Sequence, residues 1–293
     1  GDDNYRPHMP LTQADLLLIQ GETLAHDVSI DLERMSLWSR SAAERYFESG
    51  GAIAPEPAPK PSALPMTGPL GRKPRVALLH GTAGNASILR MQLGPLIAKL
   101  RDVADIHVIE GQKDIAPDNP QANTIRQFFG AEQVLKEYGT TAYDDQRWRI
   151  YADLDQALAR IELQLAQLPG GAADVLIGFS QGSNMISCLT ALAEWRSTPL
   201  RAVIMLSPHL PGWAKQRPEI FATRLVTPAM VVWCPGDELI NGGPVEIGKL
   251  WAAESVTLRQ HSGPGHRPLP ADNSDRNTLI REVVEHIIRC CPQ

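Results

Sequence analysis

The sequence has no excess of basic charge, no apolar run long enough to cross a bilayer and no cysteine framework. Each absence removes a class of function. A formal net charge of -5 leaves no electrostatic footprint for nucleic acid. A spanning helix needs about 20 consecutive apolar residues, and no stretch approaches that. The opening GDDNYRPHMP lacks the basic-then-apolar pattern of a secretory signal. Cys188, Cys234, Cys290 and Cys291 show neither metal-ligand spacing nor a dense disulfide pattern. These features predict a reducing, cytoplasmic setting and no metal or cofactor. There is no internal repeat.

What is present is material for a core. The chain has 293 residues, 43% of them hydrophobic, enough for one large domain or for a domain with an extension. The composition changes near residue 50. Before it, PLTQADLLLIQ and SIDLERMSLWSRSAAERYFESGG read as two helices, the second with Met35, Trp38, Ala42 and Tyr46 along one face. Seven prolines follow between Pro55 and Pro74, a composition that stays semi-extended. Residues 1–73 are therefore expected to be an N-terminal helical extension and proline-rich linker. Its helices would be available for oligomer or partner contacts.

From residue 74 the pattern alternates. Apolar, β-branched runs occur at RVALL, DIHVI, DVLIG, AVIML, AMVVW and SVTLR, with helical patterns between them. Leu154, Leu158, Ile161, Leu165 and Leu168 mark one helix face, and Leu279 to Ile288 another. Near-continuous apolar strands alternating with helices predict an α/β fold, a mostly parallel sheet covered on both faces. Ligands bind such sheets at the carboxyl ends of the strands. The mixed segment from Gly111 to Arg149 interrupts the alternation where a lid would sit.

One stretch is hard to explain by packing. VLIGFSQGSNM runs from a buried strand into Gly178-Phe179-Ser180-Gln181-Gly182 and then into a helix. It matches G-x-S-x-G in the strand-turn-helix context that lifts a serine Oγ clear of the backbone. A serine needs a base, and the base needs an orienting carboxylate. In α/β-hydrolases these follow in the order Ser, acid, His. Asp237 comes after AMVVWCPG, and His266 lies in the Gly/Pro loop after the last strand. Glu238 and His261 are the rival acid and base. The Gln181 amide at the helix start and the Thr82 amide after LLHG are the expected oxyanion donors. His80 is expected to be structural. His209, in MLSPHLPGW, reads as a pocket-wall or loop histidine. Phe128, Phe129, Trp148 and Trp213 are candidate pocket or lid aromatics, equally suited to a core.

LLHG, GFSQG, the strand-turn-Asp element and the H-x-G-x-H-like ending together resemble the fungal-type family of serine hydrolases (the FSH family). The resemblance runs from about residue 74 to the C-terminus. It implies an α/β-hydrolase fold over 74–293, Ser180 as nucleophile, Asp237 as acid and His266 as base. It also implies a small-molecule carboxylester or thioester substrate, often with an acyl chain. Two alternatives share these residues or this fold: a thioesterase that off-loads a carrier- or CoA-bound intermediate, and a non-catalytic binding protein.

Overall fold

The computed structural model describes residues 68–293 except 117, 118, 199 and 241. The two helices expected before residue 50, and the proline-rich stretch as far as residue 67, lie outside the described residues.

A six-stranded sheet carries the architecture. Its strands are β1 (Arg75–Leu79), β2 (Asp105–Ile109), β7 (Val175–Phe179), β8 (Ala202–Leu206), β9 (Ala229–Trp233) and β10 (Val256–Gln260). They run parallel in the order β10-β9-β8-β7-β1-β2. Every residue of β7, β8 and β9 is buried, as expected of strands covered on both faces.

Successive side chains on these strands feed opposite layers. Ala77, Leu79, Leu176, Val203, Met205 and Val231 meet α4 (Leu154–Ala166) and α5 (Gln181–Trp195) on one face. Val76, Leu78, Val175, Ile177, Ile204 and Val232 meet α1 (Ala86–Gln92), α2 (Gly94–Leu100) and α8 (Asn273–Cys290) on the other. The period of two along each strand thus builds two cores from one sheet. Helix α5 is buried along its whole length from Gln181 to Glu194, so it is a central element and not a surface one.

Chain order makes the switch point. From β1 the chain moves outward to β2, then crosses back to place β7 on the other side of β1. The loops leaving β1 and β7 therefore head to opposite sides of the sheet order, and the carboxyl ends of such strands are where ligands bind in this kind of sheet.

The segment between β2 and α4 holds two small antiparallel pairs and α3 (Pro120–Phe129). In one pair β3 (Lys113–Asp114) meets β4 (Lys136–Glu137); in the other β5 (Thr141–Tyr143) meets β6 (Arg149–Tyr151). Single bridges tie Lys136 to Gly84 after β1 and Arg149 to Pro211 after β8. A third apolar cluster of Ala83, Ile88, Ile115, Ala122 and Leu135 anchors α3. The expected lid segment is therefore pinned to the strand-end loops after β1 and β8. Two short helices, α6 (Trp213–Gln216) and α7 (Gly243–Gly248), follow β8 and β9. Among the described residues, no helix is long and apolar enough to cross a membrane.

Candidate active site

Ser180 stands between β7 and α5 at φ 53°, ψ -115°. A non-glycine residue there costs on the order of 1–3 kcal/mol and persists only when its surroundings force it. The surroundings do so. The Ser180 amide donates to Leu206 O at 2.8 Å, and the Gly182 amide donates to His80 O at 3.0 Å. A Cβ on Gly182 would lie 2.5 Å from Leu79 O, and one on Gly178 would lie 2.5 Å from the Gly182 carbonyl carbon. Both glycines are required because the turn folds backbone onto backbone.

The loop after β1 lies alongside. A Cβ on Gly81 would sit 3.1 Å from the Ser180 Cβ. The Gly81 carbonyl points inward, bonded by His80 Nδ1 at 2.7 Å and by the Gly84 amide at 3.1 Å. A planar trans peptide directs its N–H opposite to its C=O, so the Thr82 amide faces away from those donors. Gln181 is the first residue of α5, and its amide has no carbonyl four residues back within the helix. Neither amide finds an acceptor among the described residues.

His80 is the peg of this loop. It is fully buried. Its Nε2 accepts from the Gly111 amide at 2.8 Å, and its ring stacks on Tyr138 at 4.7 Å. Accepting at Nε2 and donating at Nδ1 requires the neutral ring. Burial pushes its pKa down to about 4, against the milder upward pull of the Gly81 carbonyl and Glu110. The sign follows from linkage. Between about pH 4 and 6.5 the unfolded chain binds a proton at this position that the folded chain refuses, so the stability His80 supplies is lost as pH falls. Burial raises Glu137 to about 7, with the opposite slope, so the wild-type curve alone is a sum. The stability difference between wild type and His80→Asn should therefore grow by about 3 kcal/mol from pH 4 to 6.5. Urea unfolding across that range measures it, and a difference independent of pH rejects the assignment.

Asp237 lies in the turn after β9 and is 5% exposed, while its neighbour Glu238 is exposed. Its Oδ2 accepts from His266 Nδ1 at 2.6 Å, and its Oδ1 accepts from the Leu239 amide at 3.1 Å. With the carboxylate accepting at Nδ1, the imidazole presents its lone pair at Nε2. The His266 ring rests on Phe179, the residue before Ser180, with centroids 4.8 Å apart. Cys234 Sγ bonds Gly263 O, and Ser207 Oγ donates to Arg267 O at 3.3 Å, so the His266 loop is held to the ends of β9 and β8. The Ser180 Oγ makes no hydrogen bond to a described residue, His266 included; such contacts are commonly long before substrate tightens them. His261 is 3% exposed and turned to the backbone, its Nδ1 2.8 Å from Ser262 O.

The other candidates separate. His209 is buried, 5.6 Å from the His266 ring, with its Nδ1 3.3 Å from Asn184 Nδ2. Burial, the Arg149 charge and His266 hold its imidazole well below the ordinary range. Phe128 is 77% exposed at the end of α3. Phe129 packs on the third apolar cluster. Trp148 sits near the turn of the β5–β6 pair with Lys215 Nζ 4.0 Å over its ring. Trp213 is fully buried in the main core and donates to Ser187 Oγ at 2.8 Å. As a pocket or lid aromatic it is corrected to core, because it has no accessible face. The Gln181 side chain carries a bond that its motif position does not announce. It accepts from the Tyr138 amide at 2.7 Å and donates to Gly139 O at 2.8 Å, locking the inserted segment to the serine turn.

The family model described as serine hydrolase (FSH1) matches residues 66–273. The chain belongs to the FSH1 serine hydrolase family. This serine hydrolase is accordingly a hydrolytic enzyme. Its architecture is the α/β-hydrolase fold of solved esterases and thioesterases. The crystal structure of Zea mays acyl-protein thioesterase 2 matches with a TM-score of 0.51 at 16% identity, covering 75% of this chain and 96% of that one. Esterase PE8 matches with a TM-score of 0.48 at 21% identity, covering 78% and 98%. No curated protein matches the FSH1 hydrolase.

Proposed function

We propose that this hydrolase cleaves a small-molecule carboxylester or thioester through an acyl-enzyme on Ser180, within a catalytic unit that starts at residue 74. The observation that carries the reading is the 2.6 Å Asp237–His266 contact on the same rim as a strained serine. His266 Nε2 takes the Ser180 proton as Oγ attacks the carbonyl carbon. Asp237 holds the ring in the tautomer that can accept and stabilises the charged imidazole that forms. The Thr82 and Gln181 amides receive the oxyanion, where fixed donors contribute most to catalysis. The C–O or C–S bond then breaks, and the His266 proton leaves with the alkoxide or thiolate. Water, deprotonated by His266, attacks the acyl-Ser180 carbonyl; the acid departs and Oγ recovers a proton.

A fluorophosphonate probe tests the nucleophile directly. Wild type should carry one covalent adduct on the peptide containing Ser180, and Ser180→Ala should carry none. An unlabelled wild type would return the chain to a non-catalytic binding role. On enzyme not exposed to the probe, rates for p-nitrophenyl esters against matched acyl thioesters decide between oxygen and sulfur leaving groups.

A further inference from the structure

Beside this rim is a buried positive charge that the proposed reaction does not use. Arg149 is 6% exposed, yet no carboxylate among the described residues pairs with it. Other covered arginines are matched: Arg196 with Glu162, Arg160 with Asp153, Arg217 with Asp155. Arg201, equally buried, lies at the far end of the sheet before β8 and donates to Gly68 O. Arg149 has weak company instead. One terminal nitrogen donates to Tyr143 Oη at 3.2 Å, the guanidinium lies 5.7 Å from that ring, and Nε is buried without an acceptor. The Tyr151 hydroxyl accepts from Asn184 Nδ2 at 2.8 Å and is a second, neutral hydrogen-bond partner of Arg149. Burial pushes that phenol up to about 12, so it stays neutral and offers no counter-charge.

The position of this charge points to its use. The Arg149 backbone bridges to Pro211, two residues beyond His209. A Cβ on Gly212 would lie 2.5 Å from Arg149 O, so the two segments touch. Arg149 is close enough to lower the His209 pKa, and His209 in turn faces His266 at 5.6 Å. A run of Arg149, Tyr151, Asn184 and His209 therefore leads from an unpaired cation to the candidate base. Holding an unpaired guanidinium out of water is costly, and replacing it by an apolar side chain would often be neutral or stabilising. A site that keeps it gains when an anion arrives, because guanidinium matches carboxylate and phosphate geometry.

We propose that Arg149 recognises an anionic group of the substrate, so that the enzyme acts on esters or thioesters bearing a carboxylate or phosphate in addition to the scissile carbonyl. This rests on the acyl-enzyme reading above and narrows its substrate class. The anion has two possible sources: a carboxylate on the acyl part, or a phosphate on the leaving group.

The test compares charged and neutral substrates in wild type, Arg149→Met and Arg149→Lys. One arm sets p-nitrophenyl hemiesters of succinate, glutarate and adipate against uncharged p-nitrophenyl esters of equal length. The other sets butyryl-coenzyme A against butyryl-N-acetylcysteamine. Wild type should favour the charged member in one arm, which identifies the source. Arg149→Met should cut that kcat/KM ratio by about 10- to 100-fold, and Arg149→Lys should keep part of it. Glutarate or inorganic phosphate, chosen by the same arm, should slow fluorophosphonate labelling of wild type more than of Arg149→Met. The melting temperature of Arg149→Met should equal or exceed that of wild type. Unchanged ratios in both arms, for proteins whose separate aliquots react normally with the fluorophosphonate, overturn the proposal and leave the acyl-enzyme reading standing. A lowered melting temperature with equal losses on charged and neutral substrates also overturns it, and marks Arg149 as a brace for the β5–β6 pair. A wild type that takes no label removes the acyl-enzyme reading and this proposal with it.

Discussion

Ser180→Ala is expected to lower kcat by up to ~10⁶-fold while the protein stays folded. The size of the effect comes from the proposed mechanism, which routes every turnover through a bond to Oγ. The nearby Ser183 hydroxyl cannot replace it: its Oγ lies 2.7 Å from Gly178 O and 2.8 Å from Leu206 O, so its one proton is spent on the backbone. The residue left behind should still bind substrate and polarise its carbonyl, because the Thr82 and Gln181 amides are main-chain groups. A residual acceleration of about 10³- to 10⁴-fold over water would fit that remainder. Folding should survive because Ser180 contributes no side-chain hydrogen bond among the described residues, and alanine removes only its oxygen. Steady-state rates with a p-nitrophenyl ester, read beside far-UV circular dichroism, check both halves. Turnover near the wild-type rate in a folded Ser180→Ala protein would end the nucleophile assignment.

Much of the scaffold was legible in the sequence because buried parallel strands need unbroken apolar runs. RVALL, DIHVI, AVIML and AMVVW coincide with β1, β2, β8 and β9, while the DVLIG and SVTLR windows begin one residue early. The inserted segment was not legible beyond its being an interruption. Its strands are two or three residues long and include Lys113, Asp114, Lys136 and Glu137, so no period can build up. What stabilises them is remote: Gly84 to Lys136, Pro211 to Arg149, and the Gln181 side chain to Tyr138 and Gly139. The candidate site divides in the same way. Chain order was enough to nominate Ser180, Asp237 and His266, because each follows a strand that ends at one rim. Arg149 and Asn184 carry no local signature. Their significance comes from burial and from neighbours 25 or more residues away, such as His209 beside Asn184. Trp213 shows the limit of residue type as a guide, since an aromatic after a strand end serves a pocket wall or a core equally well.

Asp237→Asn is expected to lower kcat by about 10⁴-fold, through proton placement and not through shape. The side chain keeps its volume, and the Leu239 amide can still donate to the amide oxygen as it now donates to Oδ1 at 3.1 Å. The change falls on the other atom. Where Oδ2 accepts from His266 Nδ1 at 2.6 Å, an amide NH2 would donate, and the ring would have to accept at Nδ1. The proton then moves to Nε2, the atom meant to receive one from Ser180, and the base is occupied before the reaction starts. KM should change far less than kcat, because Asp237 is almost wholly covered and faces the imidazole. Glu238→Gln is the paired control. Glu238 is exposed in the same turn, and a surface change of this kind is worth within about 0.5 kcal/mol, roughly twofold in rate. Kinetics of the two variants on one ester therefore separate the acid from its neighbour. Equal losses at both positions, or a loss at Glu238 alone, would move the carboxylate role off Asp237 and require a different partner for His266.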